Sequence, residues 1–257
     1  MQIILITGVN DGIGHALAIQ YAASGARVLG VGRSALPESL AGSVHSDDYC
    51  AADLGEAGAA QKVQSFLDAR GVTGLDVIIH NAAVGWYGAV QNQSSASIRE
   101  LLSVNLSAPI TLTHALLPRV CAARGAIAFV SSVHSVLPTP DFAVYTATKA
   151  ALDGFARNLR LEVGNAVDVL VFWPGPTRTQ MHVKSGIPKE KIYPERYASP
   201  EAVAAQIITG IRRRRSQALG PINQVLRWCA SHFEFLVDTA MVTVARRARY
   251  EKSRRPL

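Results

Sequence analysis

The amino-acid sequence predicts an α/β fold, a doubly wound parallel sheet flanked by helices, in a single domain with a basic amphipathic C-terminal helical extension. Two observations predict it. Short apolar runs alternate with longer segments whose apolar residues recur at helical spacing, and such alternation is typical of parallel sheets with helices on both faces. The length of 257 residues suits one domain of this kind with a sizeable core.

Strands and helices can be placed along the chain from its apolar pattern. Five strands are predicted, at residues 3–7, 27–31, 75–79, 126–131 and 167–172. Helical patterns occur near residues 13–24, 56–70, 95–122, 142–163 and 200–214. Ligands of such sheets bind beyond the carboxyl ends of the strands, so the segments that follow the strands should meet in one cleft. We divide the chain into a main domain, residues 1–220, and an extension, residues 221–257.

Composition narrows the class of protein. Hydrophobic residues make up 49% and charged residues 18% of the chain, which indicates a globular protein and not a disordered one. Cys50, Cys121 and Cys229 have neither CxxC nor metal-ligand spacing, so we predict no metal site and a reducing compartment. No signal-peptide pattern follows Met1, and no run of eighteen apolar residues predicts a spanning helix. We therefore expect a cytoplasmic protein.

A glycine-rich turn, TGVNDGIG at residues 7–14, follows the first strand and opens the first helix. Gly8, Gly12 and Gly14 would let the backbone approach a pyrophosphate, and the helix N-terminus offers N–H groups to phosphates. The spacing is GxxxGxG and not the GxGxxG of the general dinucleotide fingerprint. Taken alone, the pattern also fits an ordinary structural turn.

A tyrosine and a lysine stand four residues apart in YTATK, Tyr145 and Lys149, with Ser132 thirteen residues upstream of the tyrosine. On a helix, residues i and i+4 share a face. A lysine cation beside a tyrosine hydroxyl favours the phenolate, whose unperturbed pKa is about 10. Such a tyrosine can exchange a proton with a substrate oxygen near neutral pH. Taken singly, each residue could instead be a helix-surface or capping residue.

Together these motifs resemble the short-chain dehydrogenase/reductase family, in its single-domain branch, over residues 1 to roughly 220. TGVNDGIG matches the family's TGxxxGxG, YTATK its YxxxK, and PGPTRT at 174–179 its PGxxxT segment. HNAA at 80–83 matches NNAG with two departures, His80 for the first asparagine and Ala83 for the glycine. The methyl group of Ala83 is expected to weaken cofactor binding modestly.

The resemblance implies a Rossmann-type fold and an oxidoreductase that interconverts a ketone or aldehyde and an alcohol by hydride transfer. It implies that Ser132 hydrogen-bonds the substrate oxygen and that Tyr145 is the general acid/base. Lys149 would lower the pKa of the tyrosine and hold the nicotinamide ribose, and Asn105 would position a water for proton relay. The predicted cofactor-binding residues are Gly8, Asn10, Gly12, Ile13, Gly14, Arg33, Asp53, Asn81, Tyr145, Lys149, Pro174, Gly175, Thr177 and Thr179.

The cofactor preference depends on the end of the second strand, VLGVGRS. NAD-preferring enzymes generally place an acidic residue there to hold the ribose 2′-hydroxyl, whereas this chain has Gly32 followed by Arg33. An arginine suits a 2′-phosphate through charge-assisted bidentate contacts. NADP(H) is therefore favoured over NAD(H). Asp11 in the turn argues against this choice, and a solvated surface arginine is the alternative for Arg33.

Other functions share parts of this pattern. One is a catalytically idle NADP(H)-binding regulator of the same fold, against which the intact set of serine, tyrosine and lysine argues. Another is a sugar-nucleotide epimerase or dehydratase, which shares YxxxK but usually has a differently spaced glycine motif and a longer substrate domain.

The substrate is expected to lie against Trp86, Tyr87, His134 and Met181, whose identities do not name it. Residues 180–199 break the helical period with two prolines and a glycine, as a mobile lid over the nicotinamide would. His80 and His134 are predicted to be hydrogen-bonded structural histidines, since no second ligand at metal spacing accompanies either.

The C-terminal segment, residues 212–257, differs from the rest of the chain in charge. Of the 26 Lys and Arg and the 19 Asp and Glu in the chain, eleven and three lie here, so the whole excess of +7 comes from this segment. The basic positions are 212–215, 227, 246, 247, 249, 252, 254 and 255. Apolar residues recur between the basic clusters, at 222, 225, 226, 229, 233, 236, 237, 240, 241 and 244, which predicts an amphipathic helix.

Three partners for this stripe are left open by the sequence. It could lie on an anionic membrane surface with its basic flanks on the lipid, pack on the protein's own core or in a dimer, or contact nucleic acid. Nucleic acid is not expected, since no base-reading motif accompanies the charge. We expect a homo-oligomer and a small-molecule carbonyl or alcohol substrate.

Overall fold

The computed structural model describes the backbone of residues 1–253 and the side chains of residues 1–243. In this part of the chain seven parallel strands form one sheet in the order β3-β2-β1-β4-β5-β6-β7. The strands are β1 Ile3–Thr7, β2 Arg27–Gly32, β3 Tyr49–Ala51, β4 Val77–His80, β5 Ala126–Val130, β6 Asp168–Trp173 and β7 Gln217–Ala218. The order reverses direction beside β1, which makes this the predicted doubly wound Rossmann-type sheet.

Nine α-helices are described. They are α1 Gly12–Ala23, α2 Ala59–Asp68, α3 Ser95–Leu102, α4 Ala108–Ala123, α5 Ala143–Val163, α6 Met181–Lys184, α7 Pro200–Arg212, α8 Pro221–His232 and α9 Glu234–Ser253. The five predicted strands and five predicted helical segments all appear, with boundaries that differ by a few residues. The two short strands β3 and β7 are additional.

The sheet separates two apolar cores. Successive residues of a strand face opposite sides, so Ile4 and Ile6 of β1 pack with α1 and α7, whereas Leu5 packs with α2, α4 and α5. Buried aliphatic side chains dominate both layers, as expected for a parallel sheet covered on both faces. The covered faces leave the carboxyl ends of the strands as the place where loops can form a site.

The predicted helix at residues 95–122 is interrupted. A π-helical turn at Ser103–Ser107 separates α3 from α4. Together they form the described segment, Ser95–Ala123, that is long and apolar enough to cross a membrane. Its Leu112, Leu116 and Val120 are buried against the sheet, which is the environment of a core helix, and we assign the segment to the domain.

The predicted C-terminal helix is two helices, α8 and α9, because Phe233 leaves the helical conformation at φ −130° and ψ 43°. The alternative that this stripe packs on the protein's own core is wrong for the described residues. Large apolar side chains along it, such as Ile222, Val225 and Leu236, are more than half exposed. Stripe position 244 and the six basic positions from 246 onward lie outside the described side chains.

Candidate active site

A cleft of about 700 Å³ opens at the carboxyl ends of the central strands, where the sequence places the site. The predicted site residues that line it are Gly8, Asn10, Gly12, Ile13, Arg33, Asp53, Asn81, Ser132, Tyr145, Lys149, Pro174, Gly175, Thr177 and Thr179. Gly14 and Asn105 are the two predicted residues that do not line it. Both lie behind its wall, and each has a structural task there.

The glycine turn packs closely against the segment after β4. Gly8 has φ +73°, a conformation that other residues rarely adopt, and a Cβ there would lie 2.8 Å from Ala82 Cα. A Cβ at Gly14 would collide with the Gly8 carbonyl oxygen. Asn81 fixes this arrangement, since its Nδ2 donates to the carbonyls of Thr7 at 3.0 Å and Gly8 at 3.2 Å. The turn therefore presents backbone to the cleft.

The first turn of α1 offers an anion site beside these glycines. Gly12 and Ile13, the first residues of α1, line the cleft. Asp11 is the N-cap, but its side chain makes no hydrogen bond to the first turn; it lies instead 3.5 Å from Lys184 Nζ. The N–H groups and positive dipole end of α1 are thus available to a phosphate.

The end of β2 has no room for an acidic side chain. A Cβ at Gly32 would collide with Asn10 Oδ1 and with the Tyr49 hydroxyl. Asn10 is held in that position because its Nδ2 donates to the Ala35 carbonyl at 3.1 Å and to the Tyr49 hydroxyl at 2.9 Å. Arg33 follows at the cleft wall.

Tyr145 and Lys149 occupy one buried face of α5, as their spacing predicts. Their exposed fractions are 9% and 2%. The Lys149 Nζ lies 5.8 Å from the centre of the Tyr145 ring and donates a hydrogen bond of 3.0 Å to the Val130 carbonyl at the end of β5. The strand end therefore fixes the ammonium group below the tyrosine.

Ser132 stands two residues beyond the end of β5 in an extended conformation. Its Oγ accepts a hydrogen bond of 3.2 Å from the His134 backbone N–H, and its side chain is hydrogen-bonded to Tyr145. The three residues Ser132, Tyr145 and Lys149 thus meet at one point of the cleft wall.

Asn105 lies in the π-helical turn and uses its side chain to hold the segment after β4. Its Oδ1 accepts from the Val84 backbone N–H at 2.8 Å, and its Nδ2 donates to the Val84 carbonyl at 2.9 Å and to Thr148 Oγ1 at 3.3 Å. The amide is therefore engaged by protein atoms. π-Turns inside helices are frequent at functional sites, and in this one Asn105 contacts the loop after β4 and α5.

Comparison with known proteins agrees with this geometry. The family model for short chain dehydrogenase matches residues 2–189. The chain belongs to the short-chain dehydrogenase family. Family membership and the relatives below make it an NAD(P)-dependent oxidoreductase.

Its relatives are distant in sequence but similar over most of their length. Dehydrogenase/reductase SDR family member 7B from Bos taurus is 29% identical over 239 residues, 84% of this chain and 72% of that protein. NADPH-dependent 3-dehydrocapnine reductase from Ornithobacterium rhinotracheale is 28% identical over 72% of this chain and 69% of that protein. A solved short-chain dehydrogenase from Sphingobium yanoikuyae in complex with NADPH is 25% identical, with TM-score 0.77, covering 93% of this chain and 96% of that one.

The cleft of this short-chain dehydrogenase fits a nicotinamide dinucleotide. Its volume is in the range of cofactor sites. Backbone N–H groups at the start of α1 lie toward one end, with Arg33 beyond them, and Tyr145 and Lys149 lie at the other. This arrangement matches an adenine ribose at Arg33, phosphates at the start of α1 and a nicotinamide ribose at Tyr145 and Lys149.

Burial sets the protonation of the pair on α5. It raises the pKa of Tyr145 to about 12, against a smaller lowering by the hydrogen bond with Ser132. Burial also lowers the pKa of Lys149 to about 8, which the charge of Asp153 partly offsets. In the protein alone, burial therefore outweighs the predicted lowering of the tyrosine pKa by the lysine. The hydroxyl therefore keeps its proton at neutral pH.

The segment after β6, for which the sequence predicts a mobile lid, contributes Met181, His182 and Ile187 to the lining of the cleft. The Tyr87 N–H donates to the Ser185 carbonyl at 2.8 Å, and Lys191 hydrogen-bonds the Tyr87 hydroxyl. His182 bonds the Thr177 carbonyl at 2.9 Å. The contacts of Tyr87 with Ser185 and Lys191 hold the segment against the loop after β4.

The substrate end of the cleft is aromatic and apolar. His134 lies edge-on to Phe142 and Tyr145, with ring centres 5.3 and 6.0 Å apart, and Tyr87 contacts Phe142. Lining residues that sequence reasoning missed include Phe142, Ile187 and Tyr197. Phe142 directly precedes α5 and stands close to Tyr145 along the chain. That short separation was the signal in the sequence that it lies near the site.

The predictions for the residues that border the substrate, for His80 and for His134 have different outcomes. Tyr87, His134 and Met181 line the cleft, but Trp86 does not, because its ring folds over Gly88. His80 is a structural histidine, buried, stacked on Phe129 and 3.0 Å from Thr113 Oγ1. The prediction of a hydrogen-bonded His134 is wrong for its Nδ1, which is buried without a partner among the described residues.

Proposed function

We propose that the protein is an NADP(H)-dependent oxidoreductase that interconverts a ketone or aldehyde and an alcohol, with Tyr145 as general acid/base. The observation that carries the proposal is the meeting of Ser132, Tyr145 and Lys149 at one point of the cleft wall. A proton donor, a second hydrogen-bond donor and a cation there face the space where a substrate carbonyl can lie.

The residues of the site have distinct roles in the proposed reaction, for which NADPH, when bound, would supply the hydride. Ser132 donates a hydrogen bond to the substrate oxygen, and Tyr145 gives that oxygen its proton. Lys149 stabilises the resulting phenolate by its charge and holds the nicotinamide ribose. Proton return to the tyrosine completes the cycle. The predicted relay water at Asn105 is not part of this proposal, because the amide of Asn105 lies behind the cleft wall and is engaged by Val84 and Thr148.

Asn105 has a positioning role in this proposal. Its side-chain amide is hydrogen-bonded to both the backbone N–H and the carbonyl of Val84, which lines the cleft next to Ala83. Without these two hydrogen bonds, the loop after β4 would be free to shift at the point where the methyl group of Ala83 already occupies space at the cleft wall. The residue therefore keeps this loop at the distance that the cofactor requires.

The preference for NADP(H) rests on the end of β2. A carboxylate that binds a ribose 2′-hydroxyl has no space at Gly32, because Asn10 and Tyr49 fill it. Arg33 is 66% exposed at the cleft wall, with Glu100 at 3.7 Å. Exposed ion pairs contribute about 0–1 kcal/mol, so a 2′-phosphate can replace Glu100 as the partner of the guanidinium.

The substrate class follows from the aromatic end of the cleft. The Phe142 ring lies 6.2 Å from that of Tyr145, and Met181 and Ile187 add apolar surface to the lining of the cleft. Apolar surface gains from burial in proportion to its area. We therefore assign small aromatic or aliphatic carbonyl compounds as the substrate class, in preference to sugars.

A panel of carbonyl compounds tests this function. It should contain aryl ketones, medium- and long-chain aliphatic ketones and aldehydes, and reducing sugars, each with NADPH and with NADH. We expect reduction of aryl or aliphatic ketones with NADPH, lost in Tyr145→Phe. Turnover confined to sugars, or equal turnover with the two cofactors, would contradict the substrate class or the cofactor preference respectively.

A further inference from the structure

The two C-terminal helices present a concentrated apolar surface to solvent. Eight of the fifteen exposed large hydrophobic residues in the described side chains lie between residues 222 and 242, so the concentration is not a general property of this surface. We name them the apolar tail surface: Ile222, Val225, Leu226, Trp228, Phe233, Phe235, Leu236 and Val242. Monomeric soluble proteins seldom expose so many large apolar side chains together.

The opposite side of α8 is already bound to the domain. Asn223, Arg227 and Ala230 recur at i, i+4 and i+7 and therefore share a face. Arg227 stacks on Trp173 at 3.7 Å, Asn223 lies against Gly175, and Ala230 is buried. Because this face is docked through polar contacts, α8 cannot rotate to bury its apolar residues without breaking them.

Charge distinguishes between two possible partners of the apolar tail surface, a second copy of the chain and an anionic membrane. Arg212, Arg213, Arg214 and Arg215 precede α8 and are exposed, although Arg214 also pairs with Asp168 at 3.2 Å. Residues 212–257 hold eleven basic against three acidic residues. A symmetric contact with a second copy would bring two such basic segments together, which costs Coulomb energy. Anionic lipid supplies the opposite charge and an apolar layer at the same time.

We propose that α8 and α9 dock the protein on an anionic lipid surface, with the apolar tail surface in the headgroup region and the arginines of residues 212–215 on the lipid phosphates. The aromatic members Trp228, Phe233 and Phe235 suit this location, since large aromatic rings are favoured at membrane interfaces. Attachment is peripheral, because both helices lie outside the one described segment that is long and apolar enough to span.

Co-sedimentation of the full chain with vesicles tests the proposal. Vesicles of phosphatidylcholine with 30 mole per cent phosphatidylserine, roughly the anionic content of a cytoplasmic leaflet, are compared with phosphatidylcholine alone at low and high salt. We expect binding to the anionic vesicles at low salt, weakened at least about tenfold in high salt because exposed charges are screened. Absence of binding, or equal binding to both vesicles, would overturn the proposal.

Variants show whether a change in the apolar tail surface affects vesicle binding without disturbing the fold. Phe235→Ser with Leu236→Ser should reduce vesicle binding at least about tenfold, and Arg213→Gln with Arg215→Gln should reduce it in proportion to the charge lost. Leu161→Ser is the matched control, since Leu161 is 78% exposed but lies on α5, outside the apolar tail surface. NADPH binding should be unchanged in all three. If the Phe235 and Leu236 double variant instead dissociates a dimer by light scattering while vesicle binding persists, the surface is a subunit interface and the proposal is wrong.

Discussion

The guanidinium of Arg227 lies 3.7 Å from the centre of the Trp173 ring and joins the C-terminal extension to the walls of the cleft. Trp173 Nε1 donates to Asp153 Oδ2 at 2.7 Å, and the same carboxylate oxygen lies 3.5 Å from Arg227. Arg227 also donates to Ser135 Oγ at 3.0 Å. Through these contacts α8 touches β6, α5 and the turn after Ser132.

Arg227→Ala should lower the free energy of unfolding by about 1–3 kcal/mol, because it removes the cation that stacks on Trp173 and the charge that pairs with the partly buried Asp153 carboxylate. Urea unfolding measures the change. Arg215→Ala is the control, since Arg215 is exposed and should change stability by less than about 0.5 kcal/mol. Equal effects of the two substitutions would show that Arg227 does not anchor α8.

Tyr145→Phe should reduce turnover by about 10²–10⁴-fold, because it deletes the proton donor. Cofactor affinity should stay within a few fold, since the glycine turn and α1 are unchanged. Stopped-flow turnover and fluorescence titration with NADPH measure the two quantities separately.

Tyr21→Phe is the matched control for that substitution. Tyr21 is also buried, its pKa is also raised to about 12 by burial, and its hydroxyl has no hydrogen-bond partner among the described residues. It lies on α1, outside the lining of the cleft. Turnover should therefore be unchanged. A turnover of Tyr145→Phe close to that of Tyr21→Phe would remove Tyr145 from the mechanism.

The sequence was sufficient to locate the cleft because the glycine turn, HNAA, Ser132 and PGPTRT follow the ends of strands, and parallel strands end at one edge of a sheet. It could not reveal β3 and β7, which have three and two residues and so show no period. Nor could it show the π-turn at Ser103–Ser107, since the apolar pattern continues through it. The true orientation of Asn105 depends on that turn.

The C-terminal helices show a different limit of sequence reasoning. The apolar stripe was visible, and a stripe usually marks the buried face of a helix. Here the buried face of α8 is the one with Arg227, because an aromatic ring and a carboxylate on other elements accept a cation there. Only the fold brings such partners together, because Asp153, for example, lies 74 positions from Arg227 along the chain.

Arg33→Ala should weaken NADPH by about 10- to 100-fold and leave NADH nearly unchanged, because a charge-assisted contact to a phosphate is lost. Titration of both cofactors by fluorescence measures this. Glu100→Gln is the informative companion, since it frees Arg33 from its exposed partner and should leave NADPH affinity equal or slightly higher. Equal weakening of both cofactors by Arg33→Ala would show that the guanidinium does not contact the 2′-phosphate.

The depressed pKa of Lys149 predicts a pH dependence of stability. Its pKa is lowered from 10.5 to about 8 by burial, so between these values the unfolded chain binds a proton that the folded chain does not. The free energy of unfolding contributed by this group therefore increases as pH rises from 8 to 10.5, and the cost of the buried cation is greatest below pH 8.

Lys149→Met removes the effect. The stability of the parent relative to that variant should increase by about 1–2 kcal/mol between pH 7 and pH 9.5 in urea unfolding, whereas Lys62→Met, at an exposed position, should show no such change. A parent and a Lys149→Met variant with parallel pH profiles would mean that the lysine keeps an ordinary pKa in the free protein.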